Sequence, residues 1–249
     1  MAGNISVAGD TVSRRLLSVL DCFDVSRPVL SLTEISASSG LPLSTARRLI
    51  VELVTWGGLE RLDNGRYRIG MRLWRIGSFA QQQRDLREAA LPYLHDLFEV
   101  ALENVQLVVL DGLEALCVEK VSGPKAVANN TEVGGRLPLH ATGVGKVLLA
   151  YSSPQLLADT VAAGLIRYTP HTIVAPGRLA SALRVIRANG LSFAYEELTV
   201  GVISVAAPVL TRERRLLGSL GIVARHTTRL DQLAPAVRAA ALGVSRSVQ

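Results

Sequence analysis

The stretch SLTEISASSGLPLSTARRL, Ser31 to Leu49, carries two helix starts and one helix stop. Ser31 followed three residues later by Glu34 is a capping box, in which each side chain satisfies a backbone N–H left free at a helix start. Gly40 supplies the left-handed residue that ends that helix. Only Leu41 and Pro42 intervene before a second periodic run, in which Ala46, Leu49, Ile50 and Leu53 form one apolar stripe. Proline near this start costs little, because the N–H it lacks has no helical partner there. Two short helices joined by a tight glycine turn are the helix-turn-helix signature. The outward face of the second helix carries Ser44, Thr45, Arg47 and Arg48, residue types that reach base edges and phosphates.

Upstream, Val12, Leu16, Leu20 and Phe23 recur at helical spacing and predict a helix over Thr11–Asp24. Downstream, Leu59-Glu60-Arg61 and Tyr67-Arg68-Ile69 flank Asn64-Gly65, a strong hairpin signal. Three helices closed by a basic hairpin make a winged helix-turn-helix, with Arg66 and Arg68 expected along phosphate or in the minor groove. Residues 1–75 therefore read as a DNA-binding domain. Charge placement agrees: the chain carries +6 overall, from 27 Lys+Arg against 21 Asp+Glu. Seven arginines and only three acids fall between Gly40 and Phe79, a footprint that suits a phosphate backbone.

With 249 residues, 49% of them apolar and 19% charged, the chain has material for two folded domains. No apolar run approaches the roughly 18–20 residues of a membrane helix. The start, MAGNISVAGD, has no basic patch or apolar stretch, so no secretory signal is expected. Cys22 and Cys117 lie far apart without metal-ligand spacing and suit a reduced, cytoplasmic protein. Beyond the wing, residues 76–92 read as a linker helix, with Pro92 marking the hand-over to a second domain over 93–249. There VQLVVLDG and ALCVEKV predict a hairpin at Asp111-Gly112. Helices follow at Pro154–Ala163 and Gly177–Ala188, and strands at Leu191–Tyr195, Gly201–Val209 and Ser219–Ala224. The last two strands flank the polar tip TRERR, and a final helix starts near Asp231. This is an α+β pattern.

Between these elements lies PLHATGVGKVLLA, Pro138 to Ala150, whose GVGK imitates the end of a phosphate-binding loop. That loop requires a glycine where this chain has His140, and a hydroxyl where it has Val147. Without them there is no magnesium ligand and no easy wrap around a phosphate chain, so no nucleotide cofactor is expected. Thr142 instead reads as the N-cap of a helix continued by Val147, Leu148 and Leu149, a terminus whose N–H groups suit a carboxylate.

Three stretches together resemble the IclR family of bacterial transcription regulators: SLTEISASSGLPLSTARRL, GRLPLHATGVGKVLLA and YEELTVGVISVAAPV. The likeness spans Val12 to Ser245. It implies a winged helix-turn-helix joined by a linker helix to a GAF-like effector-binding domain. It further implies homodimers or tetramers on palindromic double-stranded DNA operators, and control by a small organic or aromatic acid. Family members include repressors and activators, repression being the expectation here. By position the resemblance assigns the effector pocket to His140, Thr142, Gly143, Val144, Gly145, Ala194, Val202, Ser204, Gly221 and Val223. Ala194 stands where some members carry an acid, which points to a larger or more apolar effector.

A catalytic reading finds little footing. Cys117, His140 and Glu197 offer the types of a nucleophile, base and orienter, but Cys117 lies in an apolar strand run with nothing to lower its pKa. No serine elbow, metal cluster or paired catalytic carboxylates appear. No metal or cofactor is expected, and a pure adaptor would leave the basic face of residues 44–48 without a role.

Overall fold

The computed structural model describes residues 11–123, 126–127 and 131–248; residues 1–10 of the expected DNA-binding domain lie outside them. The chain divides into two compact units, 1–81 and 82–249.

In the first unit, α1 spans Val12–Leu20, β1 Val29–Leu30, α2 Leu32–Ser39 and α3 Leu43–Trp56. The hairpin strands β2, Leu59–Arg61, and β3, Tyr67–Ile69, are followed by α4, Met71–Gly77. The capping box forms in full: Ser31 Oγ accepts from the Glu34 N–H at 3.2 Å, and Glu34 Oε2 accepts from the Ser31 N–H at 2.6 Å. Gly40, at φ 68°, ends α2 in the left-handed region that glycine occupies without strain. Pro42 is the N-cap of α3. The stripe Ala46, Leu49, Ile50 and Leu53 is buried as its spacing requires, the last three against Val19, Ile35 and Leu59. β1 adds a third strand beside β3, in the order β1-β3-β2.

The second unit begins with α5, Gln81–Ala101, which runs through Pro92 instead of ending there. Pro92 lies on the exposed side of the helix. The carbonyl one turn back, which a proline cannot serve, belongs to exposed Glu88. Strands β4, Asn104–Asp111, and β5, Glu114–Val121, form the predicted hairpin, and β6 covers Arg136–Pro138. Helices α6, Gly143–Tyr151, α7, Pro154–Ala163, and α8, Pro176–Asn189, follow. The remaining elements are β7, Ser192–Tyr195, β8, Val202–Leu210, β9, Leu216–Arg225, and α9, Leu230–Ser247.

The six strands pair antiparallel in the order β6-β5-β4-β9-β8-β7. Strand alternation sends Val105, Leu107, Val205 and Ile222 to one face, where α5 and α9 cover them. Val108, Cys117 and Ala206 go to the other face, under α6 and α8. Both faces are buried, so β4 and β9 read as nearly unbroken apolar runs instead of alternating ones. Gly221 fits where α6 presses closest: a Cβ there would lie 2.9 Å from the Ala206 Cβ and 3.0 Å from a Val144 methyl.

Candidate functional site

On α3, Ser44, Arg47 and Arg48 are exposed and Thr45 is half-buried. No carboxylate pairs with Arg47 or Arg48 among the described residues. A helix buried along one stripe and carrying unpaired guanidinium groups on the other is equipped to meet an anionic groove. The wing arginines make bonds within their own unit. Arg66 Nη2 donates to Val29 O at 2.9 Å and to Glu34 Oε2 at 2.9 Å, tying the wing to the first turn of α2. Arg68 stands directly across the hairpin from Glu60 and holds it by two bonds, of 2.9 and 3.0 Å. Both arginines are thus occupied by acids of their own unit. Arg61, exposed and opposite Tyr67, has no such acid across from it. Its missing cross-strand partner is the signal that separates it from Arg68.

In the second unit the central motif builds a cavity of about 480 Å³. Thr142 caps α6 as predicted: its Oγ1 accepts from the Gly145 N–H at 3.0 Å and donates to Pro138 O at 2.9 Å. The cavity lies where the α6 N-terminus meets the row Ala194, Ser204 and Val223 across β7, β8 and β9. Of the residues assigned to the effector pocket, Thr142, Ala194, Val202, Ser204 and Val223 line this cavity. The other five assigned residues do not. His140 Nε2 donates to Ile166 O at 2.9 Å, a structural bond. The Gly143 N–H meets Ser204 Oγ at 3.3 Å, so the serine and not a ligand takes that donor. Gly145 is small because a Cβ would come within 2.6 Å of Leu139 O and Thr142 Oγ1. Val144 and Gly221 pack against each other under the helix.

Several polar lining residues carried no spacing signal. Gln106 on β4 and Glu197 after β7 are 3% and 7% exposed, and each has a side-chain oxygen without a hydrogen-bond partner. Three residues beyond Ala194, Glu197 adds an acid to the wall that Ala194 leaves apolar. Glu197 is held from behind, where Thr172 Oγ1 donates to its backbone carbonyl at 2.6 Å and Lys146 Nζ pairs with its Oε1. Lys146 also donates to Phe193 O at 2.9 Å. Burial lowers the pKa of Lys146, with Glu197 opposing that shift. The lysine of GVGK is therefore an internal counter-ion, 2% exposed, and not a phosphate ligand. Arg136 reaches the cavity wall already paired with Asp111 and, at 3.2 Å, Glu114.

Cys117 is buried and its thiol is pushed up to about 11, chiefly by desolvation, which makes it a poor nucleophile. Among the described residues no group of His, Cys, Asp and Glu is arranged to hold a metal ion. No helix among them is long and apolar enough to cross a membrane.

A family model for the C-terminal domain of the bacterial transcriptional regulator IclR matches residues 79–246, and one for the IclR helix-turn-helix domain matches 14–63. The HTH-type transcriptional regulator XynR of Escherichia coli is 35% identical over 219 residues, covering 87% of this chain and 86% of its own. The transcriptional repressor IclR of E. coli is 32% identical over 212 residues, covering 84% and 77%. The crystal structure of an IclR homolog from Microbacterium hydrocarbonoxydans, complexed with 4-hydroxybenzoate, matches with a TM-score of 0.90 at 30% identity. It covers 96% of this chain and 99% of that one.

Proposed function

The chain belongs to the IclR family and is a DNA-binding transcriptional regulator; from that premise we propose that it is a cytoplasmic repressor released or tightened by a small hydroxylated organic acid. The observation that carries the effector half is the cavity at the α6 N-terminus, with two buried oxygens lacking partners in its wall. An unpaired acceptor shut away from water is costly, and a ligand donor removes that cost. A hydroxyl directed at Glu197 or Gln106 supplies it, while the Ser204 hydroxyl and the remaining N–H groups of Arg136 offer donors to the acid end. The Microbacterium homolog's ligand, 4-hydroxybenzoate, has both kinds of group. The name of the E. coli relative supports repression.

For DNA we assign the base-reading role to Ser44, Thr45, Arg47 and Arg48, and the wing contact to Arg61. Arg66 and Arg68 serve the shape of the wing and add less. A homodimer, pairing further into a tetramer, sets two α3 helices into successive major grooves of a palindromic operator. Binding at two sites of one protein couples them reciprocally, so ligand and operator each shift the other's affinity. No catalytic step belongs to this reading.

The test is to map fragments of source-genome DNA retained by the purified protein at moderate and high salt. A few discrete palindromic sites are expected. Retention without preferred sites sinks the specific-regulator reading. With an operator in hand, 4-hydroxybenzoate and non-hydroxylated benzoate are compared for their effect on its affinity. Equal effects remove the hydroxyl from the proposal.

A further inference from the structure

In the second unit, Arg84, Arg87, Arg136 and Arg229 each pair with a carboxylate. Five others gather at a cleft of about 390 Å³ between the end of α8, the β8–β9 turn and one face of α9. Arg187, Arg212, Arg214, Arg238 and Arg246 line it, and no lining residue is an acid. Ala207, Pro208 and Leu242 add apolar lining.

Two of these guanidinium groups are fixed by the protein. Arg187 Nε donates to Ala150 O at 2.6 Å, and Arg238 Nη2 donates to Asn189 O at 2.8 Å. Those carbonyls close the C-terminal turns of α6 and α8, where a cation is favoured. Each bond uses one of five donors, so the remainder of each fork is held in place yet uncommitted. The third observation is backbone strain. Arg214 sits at φ 62°, the left-handed region that bulky residues avoid and glycine adopts freely. Its N–H closes the turn onto Thr211 O at 2.9 Å. A glycine would make the same turn unstrained, but without a cation over the cleft. Backbone strain of this kind clusters at functional sites.

We propose that this cleft is a second ligand site, separate from the α6 cavity, for a small phosphorylated metabolite bearing two or more negative charges. Guanidinium forks match phosphoryl oxygens in pairs, and five of them exceed what a single carboxylate can neutralise. The cleft volume falls within the range of small-molecule sites.

The experiment is calorimetric titration of the full chain with pyrophosphate at constant ionic strength, with citrate as the polycarboxylate arm. Saturable binding of one pyrophosphate per chain, tighter than citrate, is expected. The Arg212→Ala/Arg246→Ala double variant weakens it by about tenfold or more, while Arg47→Ala/Arg48→Ala leaves it intact. Arg214→Gly separates ligand binding from folding: affinity drops while the melting temperature stays level or rises. Absence of saturable binding overturns the proposal, as does equal loss in the Arg47/Arg48 variant. Citrate binding as tightly as pyrophosphate overturns the phosphoryl assignment. Weakened operator binding by the cleft variant, with no pyrophosphate site, makes the cleft a DNA-backbone contact and overturns it too.

Discussion

Helices α3 and α6 look alike in sequence, each with a hydroxyl at or beside its start and a cation within about one turn. The structure uses them in opposite ways. α3 buries one stripe and leaves Arg47 and Arg48 exposed. α6 is apolar all round and buries every residue from Gly143 to Ala150. A helix apolar on every face belongs inside the protein, so its lysine must find an internal acid, and Glu197 is that acid. A cation's role is set by the residues around it more than by its place in a motif.

The contrast breaks most visibly at Lys146. Lys146→Met leaves Glu197 buried without a counter-charge and is expected to cost about 3–5 kcal/mol of stability. Arg48→Ala on the exposed helix changes stability by no more than about 0.5 kcal/mol. Denaturant unfolding of both, with Lys146→Met/Glu197→Gln recovering part of the loss, checks this. Equal stabilities for the two single variants refute the contrast.

A smaller effect is expected at Gly145→Ala. The added methyl meets Leu139 O and Thr142 Oγ1 at 2.6 Å, an overpacking worth about 1–3 kcal/mol. Ser44→Ala, near the start of α3, is expected within about 0.5 kcal/mol of the parent. Thermal unfolding of the pair sharpens the comparison.

Function inverts the order. Arg48→Ala should weaken operator binding roughly tenfold and reduce the log–log salt slope by about 0.9 for each phosphate it no longer neutralises. Arg68→Ala should do less, since Glu60 already neutralises it. Operator titrations at several salt concentrations decide this, and equal losses return Arg68 to the DNA interface.

The smallest effect concerns the thiols. Between its ordinary value of 9.0 and the value of about 11 in the fold, Cys117 is ionised in the unfolded chain but not in the folded one. The folded state then binds more protons, so stability falls as pH rises through that window, by about 1 kcal/mol at pH 10. Cys117→Ala should remove that part of the alkaline loss. Cys22, also raised by burial but opposed by Arg27, should show less.

What is legible in the sequence is local. The Ser31–Glu34 box, the Gly40 stop and the Thr142 cap each depend on residues within one turn, and each forms. The ion pairs of Arg66 and Arg68 are not legible, because their acids, Glu34 and Glu60, are 32 and 8 positions away. The cavity's Gln106 and Glu197 come from distant parts of the second unit, brought together by a strand order that no spacing announces. β1, two residues long, has no periodicity to detect. Pro92 reads as a helix end because spacing does not reveal that it faces solvent on α5. The glycines of the α6 motif read as room for a ligand. Gly143, Gly145 and Gly221 are room for the protein's own atoms.

The strand order also bears on synthesis. β4, complete by Asp111, lies in mid-sheet and must wait for β9, beginning at Leu216, as its neighbour. Pairings this distant in sequence form late. On the ribosome the first unit has all its strands and core residues in hand by Ile69. The second still presents an open sheet edge through most of its own translation, and such edges recruit other chains. A chain cut short before Leu216 would thus retain the DNA-reading surface while exposing β4 to aggregation, so premature termination yields an insoluble product and not an effector-blind regulator.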